Sequence, residues 1–493
     1  MRVLSIVAAL TLALLSSVVP ARSADNSAAR NWPEFRGPDG DGHSAATGLP
    51  LKWSETQNVK WKTPIHGRGW SSPVVWGDQI WMTTATPDGR EMFAICVDKN
   101  TGKVLLDRKL FDNEKTEAIA DINSYGSPTP VIEAGRVYLH FGTYGTACID
   151  TKSLQTLWTR RDLNCRHSVG PGSSPIVTGD FLILTLDGTD VQFTAALWKK
   201  TGKTAWKTDR ATSWMGANGP VPLEMRKCFC SPLMITLGGR QAILSPGALA
   251  AYAYDAKTGA EIWHVRYNNG YSIGARPVIG QGMAYINTGY DRANMMAVRL
   301  DGQGDVTPSH VAWTYSRNVP FKPSSIMVDD LLTMVSDAGM VTCLEAKTGA
   351  EVWKERVDAH FSASPLYAEG RIYCFSEEGR VIVLKPGRKF ELLAENFLPD
   401  GFMASPAVTG RAMILRTKTH LYCVQESASR RDLCHAGRAA GFPYLALRLF
   451  RPLHSRTSPA RALHFGGADC ARRGEHGLYH HQSAPRRQVP GAA

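Results

Sequence analysis

The chain has 493 residues, 43% hydrophobic and 20% charged, a length that allows two to four domains. That composition excludes a disordered chain, a collagen and a multi-pass membrane protein. Its 45 Gly, 28 Pro and 13 Trp favour turns and strands. The net charge of +12 is uneven: residues 428–493 carry 11 Arg against 3 acids, and the body is left near +2, too little for a nucleic-acid or anionic-membrane footprint.

In chain order, Arg2 is followed by an apolar run from Val3 to Val19, then Pro20 and the small-residue step Ala21-Arg22-Ser23. This layout predicts a signal peptide over residues 1–23 with cleavage before Ala24. The mature protein is then periplasmic or secreted, without a membrane span. Residues 24–57 form an N-terminal extension. Within it Asp39-Gly-Asp41-Gly-His43-Ser44 lacks the full layout of a Ca²⁺ loop and reads as a Gly/Asp turn.

Residues 58–427 repeat one unit. A Ser/Pro step, a short apolar strand, a Gly-centred turn and a second apolar strand recur eight times. Pro73, Pro130, Pro175, Pro232, Pro277, Ser325, Pro365 and Pro406 align, with steps of 57, 45, 57, 45, 48, 40 and 41 residues. A second signature follows most copies, an Asp, a Thr-Gly turn and a Trp, as in AYDAKTGAEIW from Ala253. Its Asp accepts turn N–H groups and its Gly supplies a positive φ. Its Trp buries a flat side chain against the next unit. Trp158, Trp206, Trp263, Trp313 and Trp353 hold or approximate that docking place, Leu106 replaces it in the first unit, and Trp198 displaces the Asp of the third turn. Such units predict an all-β fold, an eight-bladed β-propeller of four-stranded antiparallel blades. The incomplete last copy is closed by a strand within 58–65.

The repeated AKTGxExW segments resemble those of the bacterial PQQ-like β-propeller repeat family, which includes the outer-membrane assembly lipoprotein BamB and the propellers of quinoprotein dehydrogenases. The opening Trp32-Pro-Glu-Phe-Arg-Gly-Pro38 resembles that of exported members of the group. The resemblance implies the fold more than the function. For the dehydrogenases it implies PQQ, a Ca²⁺ ion, a catalytic Asp and a disulfide between adjacent cysteines. This chain has no adjacent Cys pair and no C-x-x-C-H haem motif, and no motif places Ca²⁺ ligands or a catalytic Asp.

Ten cysteines in an exported protein invite disulfides. Cys96, Cys148, Cys343, Cys374 and Cys423 fall mid-strand and read as buried apolar residues. Cys165, Cys228 and Cys230 leave a disulfide, a metal site and a plain structural role open. After Val424 the β pattern stops. Residues 428–493 read either as a frameshifted end or as a basic disordered tail.

The residues just before each Ser/Pro step should gather at one mouth of the central channel. They include His66, Arg68, Trp70, Tyr125, Arg166, His167, Arg276, Lys322 and His360, with Asn218, Tyr271, Phe361 and Met403 in similar places. Their cationic and aromatic groups suit a small anionic or planar ligand. The chain therefore reads as a monomeric, exported, non-catalytic binding or scaffolding propeller, with an envelope or extracellular protein, or such a ligand, as partner. No cofactor is expected. A PQQ-dependent oxidoreductase with Ca²⁺ and an extracellular carbohydrate binder are the alternatives.

Overall fold

The middle strands of each repeat, such as Gln79–Ala85 and Phe181–Asp187, are buried on both faces, and the outer ones, such as Val311–Tyr315, alternate between packed and exposed residues. In the structure, a computed structural model that describes residues 30–216, 219–267 and 269–426, these strands form eight four-stranded antiparallel blades, two of which gain a short parallel strand at one edge, His43–Ser44 and Gly304–Asp305. The signal peptide and the tail lie outside the described residues. The first blade runs from Val74–Trp76 through Gln79–Ala85 and Glu91–Asp98 to Val104–Asp112. The other inner strands are Val131–Glu133, Ile176–Thr178, Leu233–Leu237, Val278–Gly280, Ile326–Val328, Leu366–Ala368 and Ala407–Thr409. The molecule is an eight-bladed β-propeller. No helix among the described residues is long and apolar enough to cross a membrane.

The last blade is completed from the other end of the chain. Val59–Pro64 pairs antiparallel with His420–Gln425, with Val59 opposite Val424 and Pro64 opposite His420.

The turn chemistry follows the repeat. Asp98 accepts N–H bonds from Asn100 and Thr101 and the Thr101 hydroxyl, at 2.7–3.0 Å. That hydroxyl is the main reason the Asp98 carboxyl is held below its ordinary range. Asp150 and Asp255 repeat the arrangement. The tryptophans then dock forward. Trp158 donates its indole N–H to Lys199 of the next blade at 3.0 Å, Trp313 to Ala346 at 2.9 Å and Trp353 to Gly387 at 2.8 Å. Trp206 lies against Gly259, and Trp263 is fully buried where Gly304–Asp305 pairs alongside its strand. Trp61 of the closing strand docks in the same way, donating to Lys99 at 2.9 Å, a role the repeat pattern did not disclose.

The residue before each aligned Pro/Ser position forms a belt around the channel. The Ser72 N–H donates to the Thr129 hydroxyl, Thr129 to Ser174, and Ser174 to Ser231, at 2.9–3.0 Å. Arg276 donates to Ser324, Ser324 to Ser364, Ser364 to Ser405, and Ser405 back to Ser72, at 2.9–3.0 Å. The belt is broken only beyond Ser231, where the next position is Arg276 and offers no hydroxyl.

Candidate functional site

The N-terminal extension reaches into the ring. Trp32 bridges Val75 of the first blade, and the Pro33 carbonyl accepts the Ile132 N–H of the second. Arg276, of the fifth blade, donates to the Phe35 carbonyl at 2.7 Å and lies 2.9 Å from Glu34. Arg36 donates to the Ser325 carbonyl at 2.7 Å, and the His43 ring lies 2.7 Å from the Met327 carbonyl in the sixth blade. The Gly42 carbonyl accepts from Tyr367 in the seventh. The segment therefore bridges inner strands around the ring. Gly37, Gly40 and Gly42 all hold positive φ, and a Cβ on Gly40 would sit 2.6 Å from the Arg276 guanidinium. The Asp41 carboxylate accepts the His43 N–H at 2.9 Å, as a Gly/Asp turn should.

Phe35 and the hydroxyl belt line a cup of about 720 Å³. Ser72, Thr129, Ser174, Ser364 and Ser405 contribute from the belt. Ile122, Asn123 and Ser127 come from the connection between the first and second blades, and Glu224, Lys227 and Phe229 from that between the third and fourth. These two connections are the insertions behind the steps of 57 residues. Trp70, Tyr271, Tyr290 and Phe321 supply aromatic wall, and Lys322 and Asp337 add charge.

Of the nine residues expected at the mouth, Trp70 and Lys322 line the cup, as do Tyr271 and Met403. Trp70 donates its indole N–H to Ile122 at 3.0 Å, with the Arg68 guanidinium 5.4 Å from its ring centre. Lys322 lies 3.1 Å from Glu377 and 3.5 Å from Asp337. Burial pushes the Asp337 carboxyl up. Arg276 is 2% exposed and engaged with Glu34 and Phe35.

Arg68 and Arg276 do not line the cup, and neither do the remaining five candidates. His66 is exposed and pairs with Asp107 at 3.0 Å, and His360 pairs with Glu378 at 2.8 Å. Tyr125 is buried against Tyr144 and donates to the Glu117 carbonyl. The Arg166 backbone N–H bonds Asp190, and its side chain lies 3.9 Å from Glu117. His167 is buried and accepts the Thr143 N–H at 3.0 Å; burial pushes its imidazole down to about 4. Phe361 is core, and Asn218 lies outside the described residues. Most of the expected positive charge is thus spent elsewhere. The lining cations that remain face carboxylates, Lys322 with Asp337 and Glu377, and Lys227 with Glu224.

The eight cysteines among the described residues are buried free thiols. Cys228 and Cys230 hydrogen-bond the Pro246 and Ala275 carbonyls, and Cys165 lies 3.6 Å from the His167 ring nitrogens. Among the described residues no three His, Cys, Asp or Glu side chains converge as metal ligands. The signals that would have found the cup were the hydroxyl before each aligned Pro/Ser position, Phe35 in the extension, and the two long repeat steps.

The family model described as outer membrane protein assembly factor BamB matches residues 43–208 and 247–387, more than half of the chain. Among solved structures, BamB from Moraxella catarrhalis is 13% identical with a TM-score of 0.53, covering 74% of this chain and 99% of that one. A quinohemoprotein alcohol dehydrogenase from Pseudomonas putida is also 13% identical, with a TM-score of 0.55, covering 81% of this chain and 82% of that one. A computationally designed protein reaches 0.51 at 12% identity, covering 76% of this chain and 100% of that one. None of the curated proteins matches. At these identities the structural likenesses establish the fold.

Proposed function

This chain belongs to the family of the outer membrane protein assembly factor BamB, and on that premise we propose that it is a non-catalytic binding module of the cell envelope whose partner docks over the mouth of the cup. One observation carries the reading. Ile122 and Tyr290 line the cup, Leu223 directly precedes the lining Glu224, and Met215 lies earlier on the same inserted connection; each of the four is more than half exposed. Apolar side chains gathered at one mouth mark an interaction surface, whereas single ones scattered over a surface do not. The BamB relative's role in assembly supports a protein as that partner.

The test is a photo-crosslinking amino acid placed at Ile122 or Leu223 in the intact envelope, with Val104 on the first blade's outer strand as control. The expected result is a discrete adduct from the mouth positions alone. Equal labelling at all three, or none, would remove the proposal.

The dehydrogenase neighbour supports a second reading, a PQQ-dependent oxidoreductase. The cup's donor set fits it poorly. The Lys322 ammonium lies between Asp337 and Glu377, so these two carboxylates are already engaged by a cation rather than free to ligate a Ca²⁺. Calorimetric titration of PQQ with and without Ca²⁺ separates the readings. Ca²⁺-dependent micromolar binding would favour the enzyme, and no heat would favour the binding module.

A further inference from the structure

We infer that the interior of the cup, beneath the mouth proposed to dock a protein, takes a neutral saccharide, an assignment that rests on the reading of this chain as a binding module. Three observations converge on it.

The first is the hydroxyl belt. Ser72, Thr129, Ser174, Ser364 and Ser405 line the cup, and each is 5% exposed or less. Each accepts one backbone N–H from its neighbour in the belt. A hydroxyl so used keeps one O–H donor and one lone pair. None of the five donates to a protein acceptor among the described residues. Buried O–H groups are satisfied in folded proteins, so these are open to ordered water in the cup and to a ligand that displaces it.

The second is charge. Lys322 is matched by Asp337 and Glu377, and Lys227 by Glu224. Arg276, the one cation at a belt position, is turned to Glu34. An anionic ligand would enter a site whose cations are already paired, and a purely apolar one would leave the belt unsatisfied.

The third is the wall. Tyr290 stands between Tyr271 and Phe321, with ring centres 6.2 and 5.3 Å away, and Phe35 adds an apolar surface beside the belt. The belt, the paired lysines and the wall together suit a ligand without negative charge that carries several groups able both to donate and to accept, and that presents apolar C–H faces to aromatic rings. Sugars combine these properties. The volume of about 720 Å³ lies within the usual range for small-ligand sites.

The experiment titrates the full-length chain with maltotriose, cellotriose and chitotriose, and in parallel with trigalacturonate and PQQ, following tryptophan fluorescence and heat. At least one neutral trisaccharide should bind more tightly than either anion. Ser364→Ala should weaken it by about tenfold. Tyr271→Ala, which leaves the belt intact, should weaken it similarly and covers the case where Ser364→Ala does not fold. Tighter binding of trigalacturonate or PQQ, binding of none of the five, or unchanged affinity in Tyr271→Ala would overturn the assignment. Crosslinking at Ile122 that survives such a failure would leave the protein-docking reading of the mouth standing while the saccharide assignment falls.

Discussion

At the scale of single residues, the docking tryptophans and the turn glycines constrain one another. Gly202 has φ +70°, and a Cβ there would lie 2.7 Å from the Trp158 ring. Gly202→Ala therefore combines a strained backbone with a clash, and a loss on the order of 1–3 kcal/mol is expected in urea unfolding. The first interface shows the converse. Leu106 stands in place of the tryptophan, and the turn it faces carries Leu154 at φ +60° where the other turns have Gly. Both leucines pack on the same cluster, so a smaller side chain on one blade is matched by a larger one on the next.

Two buried histidines set the acid response. Burial pushes His140 down to about 3 and His167 to about 4. Unfolded histidines titrate near 6.5, so below that pH the unfolded chain binds protons that the folded chain refuses. Stability is therefore complete above about pH 6.5 and falls as acid is added, down to about pH 4 for His167 and about pH 3 for His140. The slope reaches about 1.4 kcal/mol per pH unit for each histidine. Urea midpoints compared at about pH 7 and about pH 5 should show the loss. His167→Gln, which keeps an acceptor for Thr143, should reduce the slope by about half, leaving the His140 contribution; an unchanged slope would assign the acid response elsewhere.

Between elements, one ion pair staples the third blade to the fourth. Arg210 lies 2.7 Å from Asp187, and both side chains are fully buried. The same guanidinium donates to the carbonyl and hydroxyl of Ser245 in the fourth blade at 2.9 Å. Removing the carboxylate strands a buried cation, so Asp187→Ala should cost roughly 3–5 kcal/mol. Arg210→Met with Asp187→Leu should cost much less, and a double-mutant cycle would show it. A single substitution costing under about 1 kcal/mol would contradict the assignment. This pair was not legible in the sequence, since nothing local distinguishes Asp187 from other strand-end carboxylates. The blades were legible because each repeat carries its own strand period, turn chemistry and docking tryptophan. Closure by 58–65 was legible because the last copy lacks a strand and that segment lacks a copy. The cup was legible only in part. Sequence position placed Trp70 and Lys322 near the mouth, but the expected basic residues satisfy local partners that only three dimensions reveal. Phe35 reaches the cup from an extension outside the repeats.

For the molecule as a whole, the ring has one seam, between Val59–Pro64 and His420–Gln425. Every other neighbouring pair of blades is joined by continuous chain, so this pairing is the strand ladder that closes the ring, supported by the bonds from Ser405 to Ser72 and from Arg416 to Ser71 across the same junction. The last blade buries Leu421 through Val424 on a strand that would become a sheet edge without its partner. Exposed apolar edges recruit other chains. The segment Trp32–Ser44 makes a different contribution, because it adds Phe35 to the cup and bridges inner strands without closing any blade. Two truncations separate these roles. A chain beginning at residue 45 keeps the seam and should remain a monomer, with lower stability and, on the saccharide assignment, weaker ligand binding. A chain beginning at residue 65 loses the seam and should form concentration-dependent oligomers in sedimentation, through the bared His420–Gln425 edge. If both sediment as monomers with the same unfolding midpoint, the seam is not what holds the ring shut, and the continuous apolar packing between blades would have to do so unaided.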